Sequence, residues 1–417
     1  MFNFIIICLL AFAGSNSPAS EDKGVESHQY RGVRAMGMAN AFAAIADDGD
    51  AFYYNPAGLA SVRGIRIDLQ PVKFIPTQAI YDELKDFDQL MDDIEAIRKS
   101  PEPLEDPGLE DERRRLMRRM KSLMHKDLGL DMASPARIIV PLHIGDYGIA
   151  IGGIVHAWSD SRTQVRRRGL NWSDFVKDML DDEILYNVMA EASYGGAAAI
   201  EFPIAPLPLE LSLGLAARRI HRWQMTDEDD PLGVEDLLNP YGKDGIEGTA
   251  DDFKERYFDP DDPLASVLEG KGYNVDVGTI ASFGDVVNLA VVLQNLVGNI
   301  EYEEAEDEKL PQNLAISAAV NLAKLPSPDI PMLDIILAAG LDKNDEAWES
   351  AQIVDKARLG LELVWKLPLL SLSGRIGSNH GYMTLGAGIQ LMFLDFDYAF
   401  YGDQDTDWHA FSLNLSF

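Results

Sequence analysis

The stretch that decides the fold is Trp408–Phe417, which reads WHAFSLNLSF. Its apolar side chains at every second position are Phe411, Leu413, Leu415 and Phe417. Successive side chains of a β-strand point to opposite faces, so the pattern predicts a strand with one apolar and one polar face. A strand that closes a transmembrane barrel needs this alternation, and an aromatic ring anchors well among lipid headgroups. We therefore predict a lipid-facing strand. Its four apolar residues also resemble the signal that barrel-assembly machinery reads.

The same alternation recurs along the chain and predicts an all-β fold, a barrel of fourteen antiparallel strands. Leu385–Leu391 and Leu394–Phe400 show it clearly, with apolar residues on one face and Gly, Gln or Asp residues on the other. A soluble sandwich would show the same alternation, because its polar faces meet water. The predicted strands are 64–72, 135–144, 147–157, 189–203, 208–222, 272–283, 285–297, 311–323, 332–342, 354–366, 369–377, 381–391, 393–401 and 408–417.

The lengths of the connections favour the membrane barrel over the sandwich. Long connections at 73–134, 158–188 and 223–271 alternate with short ones such as that at Gly284. Outer-membrane barrels have this asymmetry, with short periplasmic turns and longer external loops. We predict a barrel over residues 63–417 in which the three long connections are external loops, in the outer membrane of a Gram-negative bacterium.

Residues 1–20 have the features of a secretory signal peptide. Phe4–Ala13 is an apolar run too short to span a bilayer, and small residues follow it. The first three residues carry no Lys or Arg, so a buried N-terminal strand is the alternative. The single cysteine, Cys8, lies inside this segment, and a mature chain without cysteine suits the oxidising periplasm and outer membrane.

The composition argues against several classes of protein. The net charge is −32, from 68 acidic and 36 basic residues, which makes nucleic acid an unsuitable partner. After residue 20 we find no apolar run long enough for a transmembrane helix. The seven histidines form no zinc motif, and no phosphate-binding or dinucleotide-binding fingerprint occurs, so we do not predict an enzyme.

Residues 31–60 read RGVRAMGMANAFAAIADDGDAFYYNPAGLA. This segment resembles the N-terminal signature of the FadL-type superfamily of outer-membrane fatty-acid transporters. Its residue pattern is most similar to that of the PorV-like and TraF-like branch. The last third of the chain resembles that branch as well. The resemblance implies a fourteen-stranded barrel with an N-terminal hatch in the lumen, here residues 21–62. The matching pieces are RAMGM at 34–38, ADD at 46–48, YNPAGL at 54–59, RLGLE at 358–362 and LDFDYA at 394–399.

The segment has the composition that a hatch needs, because its many alanines and glycines pack closely and Asp47–Asp50 reads as a turn. An ordinary capped helix followed by a turn, without a transport role, is the alternative. As contacts for a hydrophobic ligand inside the barrel we predict Phe42, Phe52, Tyr53, Asn55 and Pro56. Amphipathic helices in the long loops would capture the ligand outside through Leu90, Ile94, Leu116 and Met120.

Charges of both signs lie on the polar faces of the predicted strands. They indicate internal ion pairs around a plug rather than a wide pore of one charge, whereas in a sandwich they would be solvated. These residues are Glu210, Asp276, Arg358, Glu362, Arg375, Asp395 and Asp397.

Acidic residues are concentrated in two stretches, 226–262 and 301–308. Oxygen ligands from such loops can bind calcium, although the spacing does not fit an EF-hand and a solvated acidic loop is the simpler interpretation. The candidate ligands are Asp244, Glu247, Asp251 and Asp252. We expect no other cofactor.

Three functions compete at this stage. The first is passive uptake or binding of hydrophobic small molecules, which the resemblance of 31–60 favours. The second is a PorV-like interaction barrel that docks a surface or secreted protein on its acidic loops. The third is a structural barrel without transport. Outer-membrane lipid and the assembly machinery are expected partners in each case.

Overall fold

The described part of the chain is built mainly from β-strands. A computed structural model describes residues 32–78, 80, 108, 111, 114–115, 128–144, 147–166, 183–226, 232–233, 267–284, 286–303, 305–325, 332–342, 357–402 and 407–417. Its long strands, numbered β1 to β14 in chain order, are Arg66–Pro76, Leu128–Ile144, Tyr147–Arg166, Glu183–Pro203, Leu209–Thr226, Leu268–Phe283, Val287–Tyr302, Asn313–Asn321, Leu333–Asp342, Arg358–Leu367, Leu370–Asn379, Tyr382–Leu391, Leu394–Tyr401 and Trp408–Ser416. Two strands of two residues each, Leu232–Gly233 and Glu308–Lys309, pair with β4 and β7.

The fourteen long strands form one closed antiparallel sheet. Each strand pairs with the strands before and after it in the sequence, so Leu69 of β1 lies opposite Ala136 of β2. The last strand closes the circle by pairing with the first, with Phe411 of β14 opposite Phe74 of β1. The predicted barrel of fourteen antiparallel strands is therefore confirmed.

The outer face of the barrel is apolar, and its inner face carries the buried polar groups. On β12, Leu385 and Ile389 point outward and are 39% and 52% exposed, whereas Thr384 points inward and is fully buried. The same division holds on the other described strands. A sandwich in water would expose its polar faces, so this distribution is that of a barrel with apolar surroundings.

The strands extend further toward the long connections than the alternation predicted. The loops expected at 73–134, 158–188 and 223–271 lose residues at both ends, because β1 runs to Pro76 and β6 begins at Leu268. The pattern of apolar and polar residues fades there, since a strand that rises out of the apolar layer no longer needs an apolar outer face. The prediction of these loop boundaries from alternation was wrong for that reason.

Strand β1 contains a bulge at Gln70 and Pro71. Its pairing with β14 shifts between Leu69 and Val72, and its pairing with β2 shifts between Leu69 and Lys73. The extra residue reverses the parity of the strand, so Asp68 and Lys73, which are an odd number of residues apart, both point inward and are buried. A proline cannot donate to the ladder, and a bulge accommodates it.

The described helices are short. They are α1 (Val33–Gly37), α2 (Ala51–Tyr54) and the 3₁₀ helices η1 (Pro56–Ser61) and η2 (Leu322–Lys324). None of the helices in the described ranges is long and apolar enough to cross a bilayer.

Candidate functional site: the segment inside the barrel

The N-terminal segment, residues 32–62, lies inside the barrel. Its contacts come from strands all round the circumference, which is geometrically possible only from the lumen. Glycines of the wall allow the close approach, because a side chain at those positions would meet the segment. The pairs are Gly152 of β3 with Phe52, Gly214 of β5 with Pro56 and Ala57, Gly278 of β6 with Asn55, Gly360 of β10 with Met38, Gly377 of β11 with Ala39, and Gly386 of β12 with Gly37.

Small and apolar residues let the segment fill this space. Ala39 and Asn40 both have positive φ, 56° and 58°, so the chain reverses sharply after α1. Left-handed backbone is uncommon for alanine, and the packed surroundings hold it there. Phe42, Phe52 and Leu59 are fully buried among alanines of the segment and small or aliphatic residues of the wall. The result is a dry apolar contact between segment and barrel.

A buried ionic network fastens one side of the segment. Glu362 of β10 is fully buried and accepts hydrogen bonds from Arg34 Nε at 2.9 Å and Arg34 Nη2 at 2.7 Å. The same carboxylate accepts from Arg375 Nε of β11 at 2.8 Å. Arg375 Nη1 in turn donates to Asp397 Oδ1 of β13 at 2.5 Å. One carboxylate of the wall thus joins the segment to two further strands through charge-assisted bonds.

Arg34 also orders the turn that follows in its own segment. Its Nη1 lies 2.6 Å from Asp47 Oδ1 and 2.9 Å from Asp48 Oδ2. Burial raises the pKa of Asp48, but Arg34 and Arg66 beside it outweigh burial and the net pKa is lowered. Asp48 therefore stays ionised at neutral pH and holds the turn by accepting from the backbone N–H of Asp50 at 2.9 Å.

A second ion pair ties the segment to another strand of the wall. Asp50 pairs with Arg137 of β2 at 2.8 Å. The Tyr53 ring lies between Arg137 and Arg218 of β5, whose guanidinium carbons are 5.6 and 4.9 Å from the ring centroid. Burial raises the pKa of the Tyr53 phenol above its ordinary value, so the ring stays neutral and attracts both cations through its face.

Asn55 ties the end of α2 to the wall. Its Nδ2 donates to the carbonyl oxygens of Ala43 at 2.9 Å and Thr279 of β6 at 3.3 Å. Its Oδ1 accepts from the backbone N–H of Ala57 at 3.1 Å and so caps η1. All three bonds form where water has no access, because Asn55 is fully buried.

Replacing Asn55 by alanine is expected to destabilise the folded barrel by about 1–3 kcal/mol, because buried polar groups lose their partners. Thermal unfolding in detergent, followed by the gel migration of the folded form, measures this. Asn414→Ala is the matched control, since Asn414 of β14 is half-buried and makes no hydrogen bond to a residue in the described ranges. Equal midpoints for the two variants would contradict the assigned role of Asn55.

The structure places the predicted lumen residues together. Phe42, Phe52, Tyr53, Asn55 and Pro56 are all buried between the segment and the wall, and their part in ligand binding stays a prediction. In the closing strand, Phe417 is 59% exposed and the other three apolar residues of the predicted assembly signal are partly buried on the outer face. The remaining candidates lie outside the described residues: Leu90, Ile94, Leu116, Met120, Asp244, Glu247, Asp251 and Asp252.

The expected ion pairs are present at most of the predicted positions. Glu362, Arg375 and Asp397 form the network above, Arg218 pairs with Asp276 at 3.1 Å, and Arg358 pairs with Asp342. Glu210 is instead exposed at the short-turn end of β5. Four participants were not singled out from the sequence as ion-pair residues, namely Arg34, Arg137, Arg218 and Asp342. Because Arg137 and Arg218 fall at inward-facing positions of their predicted strands, the alternation could have identified them.

Comparison with known proteins gives distant structural likenesses only. No family model and no curated relative matches the chain. The toluene transporter TbuX of Ralstonia pickettii is 9% identical with a TM-score of 0.48, covering 94% of this chain and 98% of that one. The CymD monoaromatic hydrocarbon channel is 10% identical with a TM-score of 0.45, covering 92% and 95%. A Pseudomonas aeruginosa FadL homologue is 10% identical with a TM-score of 0.37, covering 94% and 99%.

Proposed function

We propose that this protein is an outer-membrane barrel for the passive uptake of hydrophobic small molecules, with residues 32–62 as a hatch that closes the lumen to water. The observation that carries the proposal is the occupied lumen inside an apolar outer wall. A general diffusion pore needs a water-filled channel, whereas here the segment contacts strands on all sides and its charges pair with the wall.

The interior offers apolar contacts as well as charged ones. Phe42, Phe52 and Leu59 belong to the largest apolar cluster of the segment, and only the Phe42 ring borders the ionic network, 5.1 Å from the guanidinium carbon of Arg34. A small apolar molecule that enters there displaces apolar side chains and breaks no ion pair. The resemblance of residues 31–60 to the fatty-acid transporters supports the same class of ligand. The uptake route through the outer loops stays part of this proposal.

Binding of a fluorescent long-chain fatty acid to the purified barrel in detergent tests the proposal. We expect saturable binding that Phe42→Ala weakens by roughly tenfold, through the loss of one buried aromatic contact. Phe283→Ala is the matched control, because Phe283 lies on the outer face and is 43% exposed. Binding that never saturates, or that both variants weaken equally, would contradict a lumen site.

A second candidate function is the PorV-like docking of a surface or secreted protein. It is favoured by the acidic stretch after β7, where Glu303, Glu306 and Asp307 are exposed to solvent. Replacing these three residues by Ser should abolish capture of a defined basic partner and leave fatty-acid binding unchanged. If capture of the basic partner is unchanged by the three substitutions, hydrophobic uptake is left as the supported function.

A further inference from the structure

Charged side chains on the outer face of the described strands are confined to one place. They lie on β5, β6, β7 and the short strand Glu308–Lys309, near the end of the barrel that carries the long connections, and the other described outward positions are uncharged. The group consists of Arg219, Glu269, Lys271, Glu301 and Lys309. A charge on a lipid-facing surface is costly toward the middle of the bilayer and tolerated near its interfaces.

Arg219 lies where the apolar layer ends. Below it on the outer face of β5 are Leu209, Leu211, Leu213, Leu215 and Ala217. At about 3.4 Å per residue and a tilt of about 40°, the ten steps from Leu209 to Arg219 climb about 25 Å, the height of the apolar band of such barrels. The guanidinium is therefore at the level of lipid headgroups.

Two tyrosines flank Arg219 in the sheet. Tyr194 of β4 and Tyr273 of β6 lie directly opposite it on either side. Both rings are on the outer face, 64% and 41% exposed. Tyrosine is enriched at the membrane interface, where its ring meets acyl chains and its hydroxyl meets polar headgroups. Their position marks the same level independently of the length of β5.

Unlike Lys271 and His221, Arg219 has no anionic partner among the residues that the structure describes. His221 and Lys271 lie two residues further along β5 and β6, toward the long connection. His221 Nε2 and Lys271 Nζ are each 2.7 Å from Glu269 Oε1, and Glu301 lies opposite Lys271. Arg219 makes no hydrogen bond or ion pair with any residue in the described ranges. An arginine at the edge of an apolar layer gains most from a phosphate, whose oxygens match its planar donors.

We propose that Arg219, between Tyr194 and Tyr273, binds the phosphate of an anionic membrane lipid whose acyl chains lie along the apolar face of β4 to β6. The tyrosines hold the headgroup region laterally, and the leucines of β5 receive the chains. This inference rests on the proposed membrane placement of the barrel and does not depend on the uptake of a hydrophobic ligand.

Native mass spectrometry of the full-length barrel in detergent with added bisphosphorylated lipid A tests the site. We expect Arg219→Gln to weaken retention of one lipid by about tenfold, the effect of losing a charge-assisted hydrogen-bond pair. Arg219→Lys keeps the charge but not the bidentate geometry and should retain part of the binding. Arg63→Gln is the matched control, because Arg63 lies at the short-turn end outside the strands and its side chain is 65% exposed.

Each outcome separates this site from the proposed function. Equal retention by wild type and Arg219→Gln overturns the lipid site even when both proteins show the gel migration of a folded barrel. A change in oligomeric state without a change in lipid retention would make Arg219 a protein contact, and this also overturns it. Unchanged fatty-acid binding by Arg219→Gln is expected, since the lumen is not altered. If Arg219→Gln fails to fold, the comparison of Arg219→Lys with wild type decides.

Discussion

Replacing Glu362 by alanine is expected to destabilise the barrel by about 3–5 kcal/mol, the cost of removing one partner from a buried ion-pair network. Glu362 is fully buried and holds both Arg34 of the segment and Arg375 of the wall. Its removal takes a carboxylate away from both guanidinium groups, of which that of Arg375 is buried and that of Arg34 is 18% exposed. Arg375 keeps Asp397 and Arg34 keeps the two aspartates of its turn, but the link between segment and wall is lost.

Unfolding in urea from lipid vesicles, followed by tryptophan fluorescence, measures the loss of stability. Glu210→Ala is the matched control, because Glu210 is exposed on the same face of the barrel near the short turns. We expect that control to change the unfolding free energy by about 0.5 kcal/mol or less, as surface substitutions do. Glu362→Gln, which keeps hydrogen-bonding capacity, should fall between the two. A small effect of Glu362→Ala would mean that water enters the network and that the segment is held mainly by its apolar contacts.

The circular order of the wall was predictable from sequence because lipid and lumen impose opposite demands on alternate residues. Leu385–Leu391 shows this, since each outward position must be apolar and each inward position is small or polar. The same reasoning fails at Pro71, where a bulge changes the parity and no local signal tells which face the next residue takes. It also fails beyond the apolar layer, where polar residues occur on both faces of a strand.

The interior was predictable in kind but not in detail. Charges of both signs on inward positions indicated ion pairs, and the alanine-rich composition of residues 31–60 indicated close packing. The partners could not be assigned, because Arg34 and Glu362 are 328 positions apart in the chain. Their pairing depends on the rotation and depth of the segment inside the barrel. Those are set by many wall contacts together, among them the glycines that give the segment room.

Replacing one of those glycines, Gly214, by valine is expected to open the barrel to ions. A side chain on Gly214 of β5 would meet the backbone of Pro56 and Ala57 at the start of η1, and backbone cannot move aside as a flexible side chain can. Overpacking of this kind costs about 1–3 kcal/mol, which the barrel can tolerate with its strands still paired. The segment must shift away from β5, and a water-filled gap then forms along that wall.

Conductance across a planar lipid bilayer measures this directly. We expect no steady conductance from the wild-type protein and discrete open events from Gly214→Val. Gly374→Val is the matched control, because nothing lies within 4 Å of a side chain built on Gly374 of β11. It adds the same side chain to the outer face and should leave the barrel closed.

Gly214→Ala adds a single methyl group and should conduct less than the valine variant. If Gly214→Val folds, inserts and remains closed, residues 32–62 are not the element that seals the lumen, and the hatch in the proposed function must be abandoned. Because the outer wall is unaltered in this variant, that result would leave the lipid site at Arg219 untouched.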